Sequence, residues 1–259
     1  MPWFIGLSQA ESFGRLQVTN RLSGLKSQRF GPFRTRESAE LYQEHIHGLY
    51  QLRRCTETLQ PDPEHPGCIY GEMNQCLRPC QRVVSEEEYG SEVVRVSHFL
   101  TSAGSSDLLP LAAIRDRASS DLDFEQAALA HKRIEKLQAA IAVRDKVVGS
   151  VADFHGIALT AACEADSVNL WPMFGAYWQA PITLHLDHDT RSLDSTLREL
   201  FLAAFQSPAA SGTRLEQMAI FSRWYYSSWR DGQWFPFETV QQINYRRLVK
   251  AISTTLKPR

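Results

Sequence analysis

The 259-residue sequence predicts an α+β fold: a small α/β piece at the N-terminus, a cysteine-rich loop region, a helical hairpin and a C-terminal mixed α/β domain. Three observations carry that prediction. Short β-prone runs at 15–22, 156–163, 167–174 and 180–186 are separated by stretches with helical apolar spacing. Four of the five cysteines fall in one Pro- and Gly-rich window, 55–80. Residues 108–147 hold the strongest helical pattern in the chain, interrupted once by "SSDLDFE".

Each segment follows from its residues. In 1–54, "RLQVTNRL" (15–22) reads as a strand and "FGPF" (30–33) as a turn or short extended link. A helix follows over 35–52, with Thr35 or Ser38 as N-cap and Ala39, Leu41, Tyr42, Ile46, Leu49 and Tyr50 at helical spacing. In 55–106 the cysteine window is too irregular for a long element; a helix within 85–107 runs into a Gly/Ser hinge. Segment 107–147 reads as two antiparallel helices, the first with Leu111, Ile114, Ala118 and Leu122 on one stripe. The second carries Phe124, Ala127, Ala128, Ile134 and Leu137, with Ser119 or Asp121 to cap it. In 148–259 the three later strand runs are joined by helices over 196–206, 213–229 and 239–256, an Asp231–Gly232 turn and a "QWFPF" strand. Cys163, inside an apolar strand run, is expected in the core.

Charge and hydropathy exclude several classes. The net charge is −1, so any affinity for nucleic acid must come from a local patch. One exists: between Ser12 and Arg36 stand Arg15, Arg21, Lys26, Arg29, Arg34 and Arg36 without an acidic residue, Phe30 and Phe33 among them. Six phosphate contacts would give DNA binding a steep salt dependence. Arg53, Arg54, Arg78 and Arg82 extend the strip around the cysteines. No apolar run reaches the roughly 18 residues of a membrane span, and "MPWFIGLSQAESF" has no signal-peptide pattern. A cytoplasmic location is expected, where clustered cysteines signify metal more often than disulfides.

The cysteine spacing is C-x12-C-x7-C-x3-C, formed by Cys55, Cys68, Cys76 and Cys80. Four converging thiolates suit either a tetrahedral zinc or one iron–sulfur cluster, and the residues alone leave both open. His65 is a substitute ligand within reach along the chain, and Gly67 and Pro79 adjoin cysteines where the backbone must turn. "HLDHD" (185–189) and "DFH" (153–155) read as polar strand ends, because neighbouring strand residues point to opposite faces. The aromatic tract "FSRWYYSSWRDGQWFPF" (221–237) reads as domain core or as a stacking surface for unpaired bases, with Trp229 and Trp234 the most exposed.

"RFGPF" (29–33), "LYQLRRC" (49–55), "PGCIYGEMNQCLRPC" (66–80) and "LDFEQAALAHKRIEKL" (122–137), in that order, resemble the bacterial UvrC family of excinuclease components. The resemblance implies a [4Fe–4S] cluster on Cys55, Cys68, Cys76 and Cys80, with zinc as the alternative. It implies that the hairpin is a UVR motif docking a UvrB-type subunit, with Phe124 as anchor beside Leu122, Ala127, Ala128 and Ile134. The family's "RD" is His131–Lys132 here. Neither of the family's nuclease centres, GIY-YIG and RNase H-like, is legible. "PWFIGLSQAESFGRLQVT" (2–19) resembles the stretch after the GIY-YIG helix, which places such a core upstream of Met1. The expectation is a UvrC-like component of nucleotide excision repair, non-catalytic alone, that contacts DNA while another chain, such as a separately encoded GIY-YIG nuclease, makes the incision. Two alternatives stand beside it. One is a metal-stabilised regulatory protein that binds a UVR-bearing partner but not DNA; the other is a nuclease with its site in 148–259.

Overall fold

A computed structural model describes residues 1–8, 12–22, 27–185, 193–206 and 212–255. The chain forms two compact units, Pro2–Ser150 and Val151–Arg259. Among the described residues the architecture is α+β, with eight α-helices and two antiparallel sheets.

In the first unit the sheet order is β2-β1-β3-β4, built from β1 (Trp3–Ser8), β2 (Leu16–Thr19), β3 (Ser27–Phe33) and β4 (Gly149–Ser150). The segment "FGPF", expected as a turn or link, is instead the end of β3. Trp3 pairs with Phe33 and Ile5 with Phe30, so Gly31 and Pro32 together face only Phe4. That bulge admits a proline to the strand without costing a ladder hydrogen bond. Gly31 is required there: a Cβ would lie 2.5 Å from the Phe4 ring.

Helix α1 spans Arg36–His47, started by a capping box between Thr35 and Ser38. It stops five residues short of the expected end because the chain turns at Gly48, although Tyr50 and Leu52 still enter the core. Then come the short α2 (Ile69–Glu72), α3 (Glu86–Thr101, capped by Ser85 and Glu88), α4 (Ser105–Ser120) and α5 (Phe124–Val143). The cap of α5 is Asp123, whose side chain accepts from the Gln126 N–H at 3.0 Å, rather than Ser119 or Asp121. Those two belong to the end of α4, where Leu122 N–H bonds Ser119 O and Asp123 N–H bonds Ala118 O, a Schellman closure with Leu122 left-handed at φ 59°. The helices pack on the sheet through Ile5, Leu7, Phe30, Phe33, Tyr42, Ile46, Phe99 and Leu137.

The second unit holds β5 (Gly156–Ala161), β6 (Ser167–Phe174), β7 (Tyr177–Trp178), β8 (Ile182–His185) and β9 (Gln233–Pro236). Its sheet order is β7-β6-β5-β9, with β8 also on β6. One core is formed by Ile157, Leu159, Val168, Leu170 and Phe235 with α6 (Leu193–Gln206) and α8 (Tyr245–Thr255), through Leu197, Phe201, Leu248 and Ile252. On the opposite side, Phe221 of α7 (Arg214–Tyr225) meets Trp234 at 4.6 Å between ring centres. Trp234 is therefore packed, contrary to expectation, whereas Trp229 is exposed. Cys163 is exposed rather than core, because β5 ends two residues before it. His185 closes β8 beside Ser167, Nδ1 to Oγ 2.9 Å; the rest of "HLDHD" lies outside the described residues.

His47 at the end of α1 is buried with its Nδ1 unpartnered. Burial, then the Arg54 cation, lowers its pKa from 6.5 to about 4, against an opposing pull from Glu44. The unfolded chain takes up this proton near pH 6.5 and the folded chain only near 4, so the stability is intact above 6.5 and declines as pH falls to 4. The loss is about 3 kcal/mol. Urea unfolding across that range should show it, and His47→Leu should flatten the slope.

Candidate functional site

The chain leaves the first core at Leu52 and enters the cysteine loop through Arg53, whose side chain is buried. A buried guanidinium needs acceptors on every side. Arg53 donates from Nε to Phe13 O at 2.8 Å and from NH1 to Glu57 O at 3.0 Å, and NH1 lies 3.7 Å from Cys55 Sγ. Its backbone N–H donates to the Tyr89 hydroxyl at 2.8 Å, which in turn donates to Gly14 O at 2.9 Å. Gln51 adds two ties: its N–H donates to Glu92 at 2.8 Å, and its amide donates to Asn74 O at 2.7 Å. The β1–β2 turn, the start of the loop and α3 are thus fastened to one another.

Three residues bend the rest of the loop in the left-handed region: Asn74, Arg78 and Arg82, at φ 54–56°. Asn74 follows α2 in a second Schellman closure, its N–H on Gly71 O and that of Gln75 on Tyr70 O. Arg78 and Arg82 bracket the single 3-10 turn of Pro79–Gln81 that carries Cys80. Such conformations cost about 1–2 kcal/mol per non-glycine residue, and they cluster where a site is held in place.

The turns bring Cys76 and Cys80 within electrostatic reach of Cys55 and Cys68. Cys76 and Cys80 are buried, Cys55 is half-buried and Cys68 is exposed. Burial, with the charges of Cys68, Cys55 and Cys80, pushes the Cys76 thiol up to about 11, while the Arg78 N–H, 3.4 Å from its Sγ, pulls it down. Cys80 is raised by burial and by Cys68 and Cys55. Among the described residues no three His, Cys, Asp or Glu side chains are arranged to hold a single metal ion. A tetrahedral zinc at about 2.3 Å from each sulfur draws the sulfurs to within about 4 Å of one another. His65 spends its Nδ1 on the Gly67 N–H at 3.0 Å.

The basic strip is only partly free. Arg15 is half-buried, and Arg21 and Arg34 are exposed. Arg29 is half-buried across the sheet from Gly6, its guanidinium bonded to Ser27 and its pKa lowered by burial. Arg36 pairs with Glu40 at 2.7 Å and lies over Trp3. Lys26 lies outside the described residues. Of the expected extension, Arg53 is internal, Arg54 holds both Glu44 oxygens at 2.8 Å, and Arg82 donates to Pro61 O. Three of the four arginines around the cysteines, Arg53, Arg54 and Arg82, are therefore engaged within the first unit.

On the hairpin, Leu122 and Phe124 are 71% and 69% exposed; Ala128 is exposed and Ala127 half-buried. Ile134 faces inward with Ala130, Leu137 and Ala140. Exposed Leu109, Ile114 and Leu129 add to the apolar surface of the hairpin. A cavity of about 320 Å³ opens between its arms, lined by Ile114, Ala118, Asp123 and Gln126.

These features define an α+β unit with a four-cysteine loop and an antiparallel helical hairpin. Residues 3–99 match the family described as UvrC/Cho excinuclease, middle domain. It is similar to the UvrABC system protein C of Oleidesulfovibrio alaskensis, 29% identical over 60% of this chain and 22% of that protein. It is also similar to that of Acetivibrio thermocellus, 25% identical over 85% of this chain and 37% of that one. The matched segments thus span well under half the length of these relatives. No solved structure matches it. No helix among the described residues is long and apolar enough to cross a membrane.

Sequence reasoning missed Tyr89 and misassigned Arg53; only the adjacency "RRC" hinted that an arginine attends Cys55. Tyr89→Phe leaves the Arg53 N–H and Gly14 O without their shared partner and should cost about 1–3 kcal/mol. Arg53→Met, which strands two carbonyls, should cost at least as much. Both are read as lowered urea midpoints with unchanged slope.

Proposed function

We propose that the chain is a UvrC-type component of nucleotide excision repair that docks a UvrB-type subunit through its hairpin and contacts DNA through Arg15, Arg21 and Arg34. The cut is made by another polypeptide, such as a GIY-YIG nuclease. The observation that carries this reading is the four-thiol loop, fastened by Arg53 and Tyr89, inside the segment that matches the UvrC/Cho middle domain.

Cys55, Cys68, Cys76 and Cys80 are the residues that would hold a [4Fe–4S] cluster. The all-sulfur donor set suits a cluster and zinc alike, and the buried Arg53 cation near Cys55 would offset thiolate charge in either; the resemblance to the UvrC family is what favours the cluster. The group, when bound, supplies cross-links between loop segments too irregular to hold themselves. The chain's own residues orient the thiols and exclude water from Cys76 and Cys80.

The hairpin reading rests on apolar residues left uncovered. Leu122 and Phe124 lie at the tip, where a matching hairpin would bury them. Phe124→Asp should weaken binding to a UvrB-type subunit at least tenfold in calorimetry while leaving the melting temperature unchanged, since the side chain is solvent-facing. Reversing Arg15, Arg21 and Arg34 to Glu should weaken duplex DNA binding and reduce the slope of log affinity against log salt by about 3.

A second reading, a regulatory protein that binds a UVR-bearing partner without DNA, is favoured by one observation: Arg36 and Arg54 are already paired with carboxylates and Arg53 is internal. Undiminished duplex affinity after the triple reversal, or no affinity in the parent chain, together with intact partner binding, selects it.

A further inference from the structure

In the second unit, the sheet side that meets α7 is not fully covered. A cavity of about 600 Å³ opens there, within the size range of small-ligand sites. Trp171, Trp178 and Trp224 line it with Gln179, Ile220 and Asp231. The tryptophans come from three elements: β6, β7 and α7. Trp171 is fixed by its Nε1–H on Thr160 at 3.1 Å, and Trp224 by its Nε1–H on Asp231 O at 3.2 Å. Trp178 is treated differently: its indole Nε1 is buried without a partner. Beside it, Gln179 is 6% exposed, and its amide donates to Tyr177 O while its Oε1 also has no partner. Adjacent residues of one cavity wall thus hold an unpaired donor and an unpaired acceptor, each costly to leave so.

We propose that this cavity receives an unpaired nucleobase of single-stranded or locally opened DNA. Aromatic walls offer stacking faces to any base. A base edge carries both donors and acceptors, the kinds of group that Trp178 and Gln179 leave without a partner. A proline-rich segment, the other common guest of aromatic grooves, carries no donor on its prolines and would leave Gln179 unmatched. Charge points the same way. Arg230 lies over Trp224 and Tyr225, at 5.9 and 4.7 Å, and Arg214 over Tyr177 at 5.2 Å, placing cations next to the aromatics where a phosphodiester would run. Asp231 is the acidic member of the lining, and its carbonyl is engaged by Trp224. The proposal rests on the reading that the chain acts on DNA.

The test uses the full chain, a short oligothymidylate, the same oligonucleotide with abasic sites, and a duplex. Trp171→Ala and the exposed-site variant Ile220→Gln are compared with the parent, each checked by thermal melting. Tryptophan quenching by oligothymidylate is expected, with about a tenfold or greater loss of single-strand affinity in both variants. Duplex affinity should be unchanged, and the abasic strand should bind the parent as weakly as oligothymidylate binds the variants. If duplex binds but single-strand affinity is the same in all three proteins, the cavity proposal falls and the DNA reading stands. If the parent binds neither DNA, both fall. Quenching by a proline-rich peptide and not by oligothymidylate overturns the proposal in favour of a protein guest.

Discussion

The buried Arg53 guanidinium and the Tyr89 hydroxyl behind it are the constraint on which the first unit depends. Arg53 reaches Phe13 and Glu57 with its side chain and Tyr89 with its backbone, and Tyr89 closes on Gly14. A cation in that position is tolerable only because carbonyls surround it. In return, a loop with little regular structure acquires a fixed origin on the sheet and on α3. The left-handed turns at Asn74, Arg78 and Arg82 then shape the loop that carries Cys76 and Cys80.

How much of this was legible depended on how local the determining interaction is. Capping boxes at Thr35–Ser38 and Ser85–Glu88 are written within four residues, and those helices were readable from their start signals. The antiparallel hairpin was readable for the same reason, but its cap was not. Asp121 and Asp123 both look like caps, and only the Schellman closure of α4 assigns Asp123 to α5. Strand β1 gave no alternation to read, because its residues are buried nearly throughout. The Gly31–Pro32 pair looked like punctuation because the bulge that accommodates it involves β1, far away along the chain. Arg53 could not be told from its exposed neighbours, since nothing in "RRC" separates an internal cation from a surface one.

The two units divide the chemistry. In Pro2–Ser150 the polar tie anchors the thiol-bearing loop, and large apolar side chains are exposed both on the hairpin, Leu122 and Phe124 among them, and on the loop at Ile69, Met73 and Val83. Leu122 is doubly informative: a left-handed leucine costs energy that a glycine would avoid, and exposing it costs again. In Val151–Arg259 the sheet is sealed by α6 and α8, whereas the α7 side keeps an aromatic cavity with unpaired polar atoms in its wall. Polar atoms left unpaired in a wall of tryptophans are difficult to explain as packing alone.

The central claim is the proposal that the four cysteines hold one iron–sulfur cluster, with Arg53 beside Cys55. Its most direct test is the iron, acid-labile sulfide and zinc content of the anaerobically purified chain, alongside Cys76→Ala. A brown protein with about four iron and four sulfide per chain, lost in the variant, is the predicted result. A colourless protein with one zinc per chain, or one whose metal content is the same without Cys76, would contradict it.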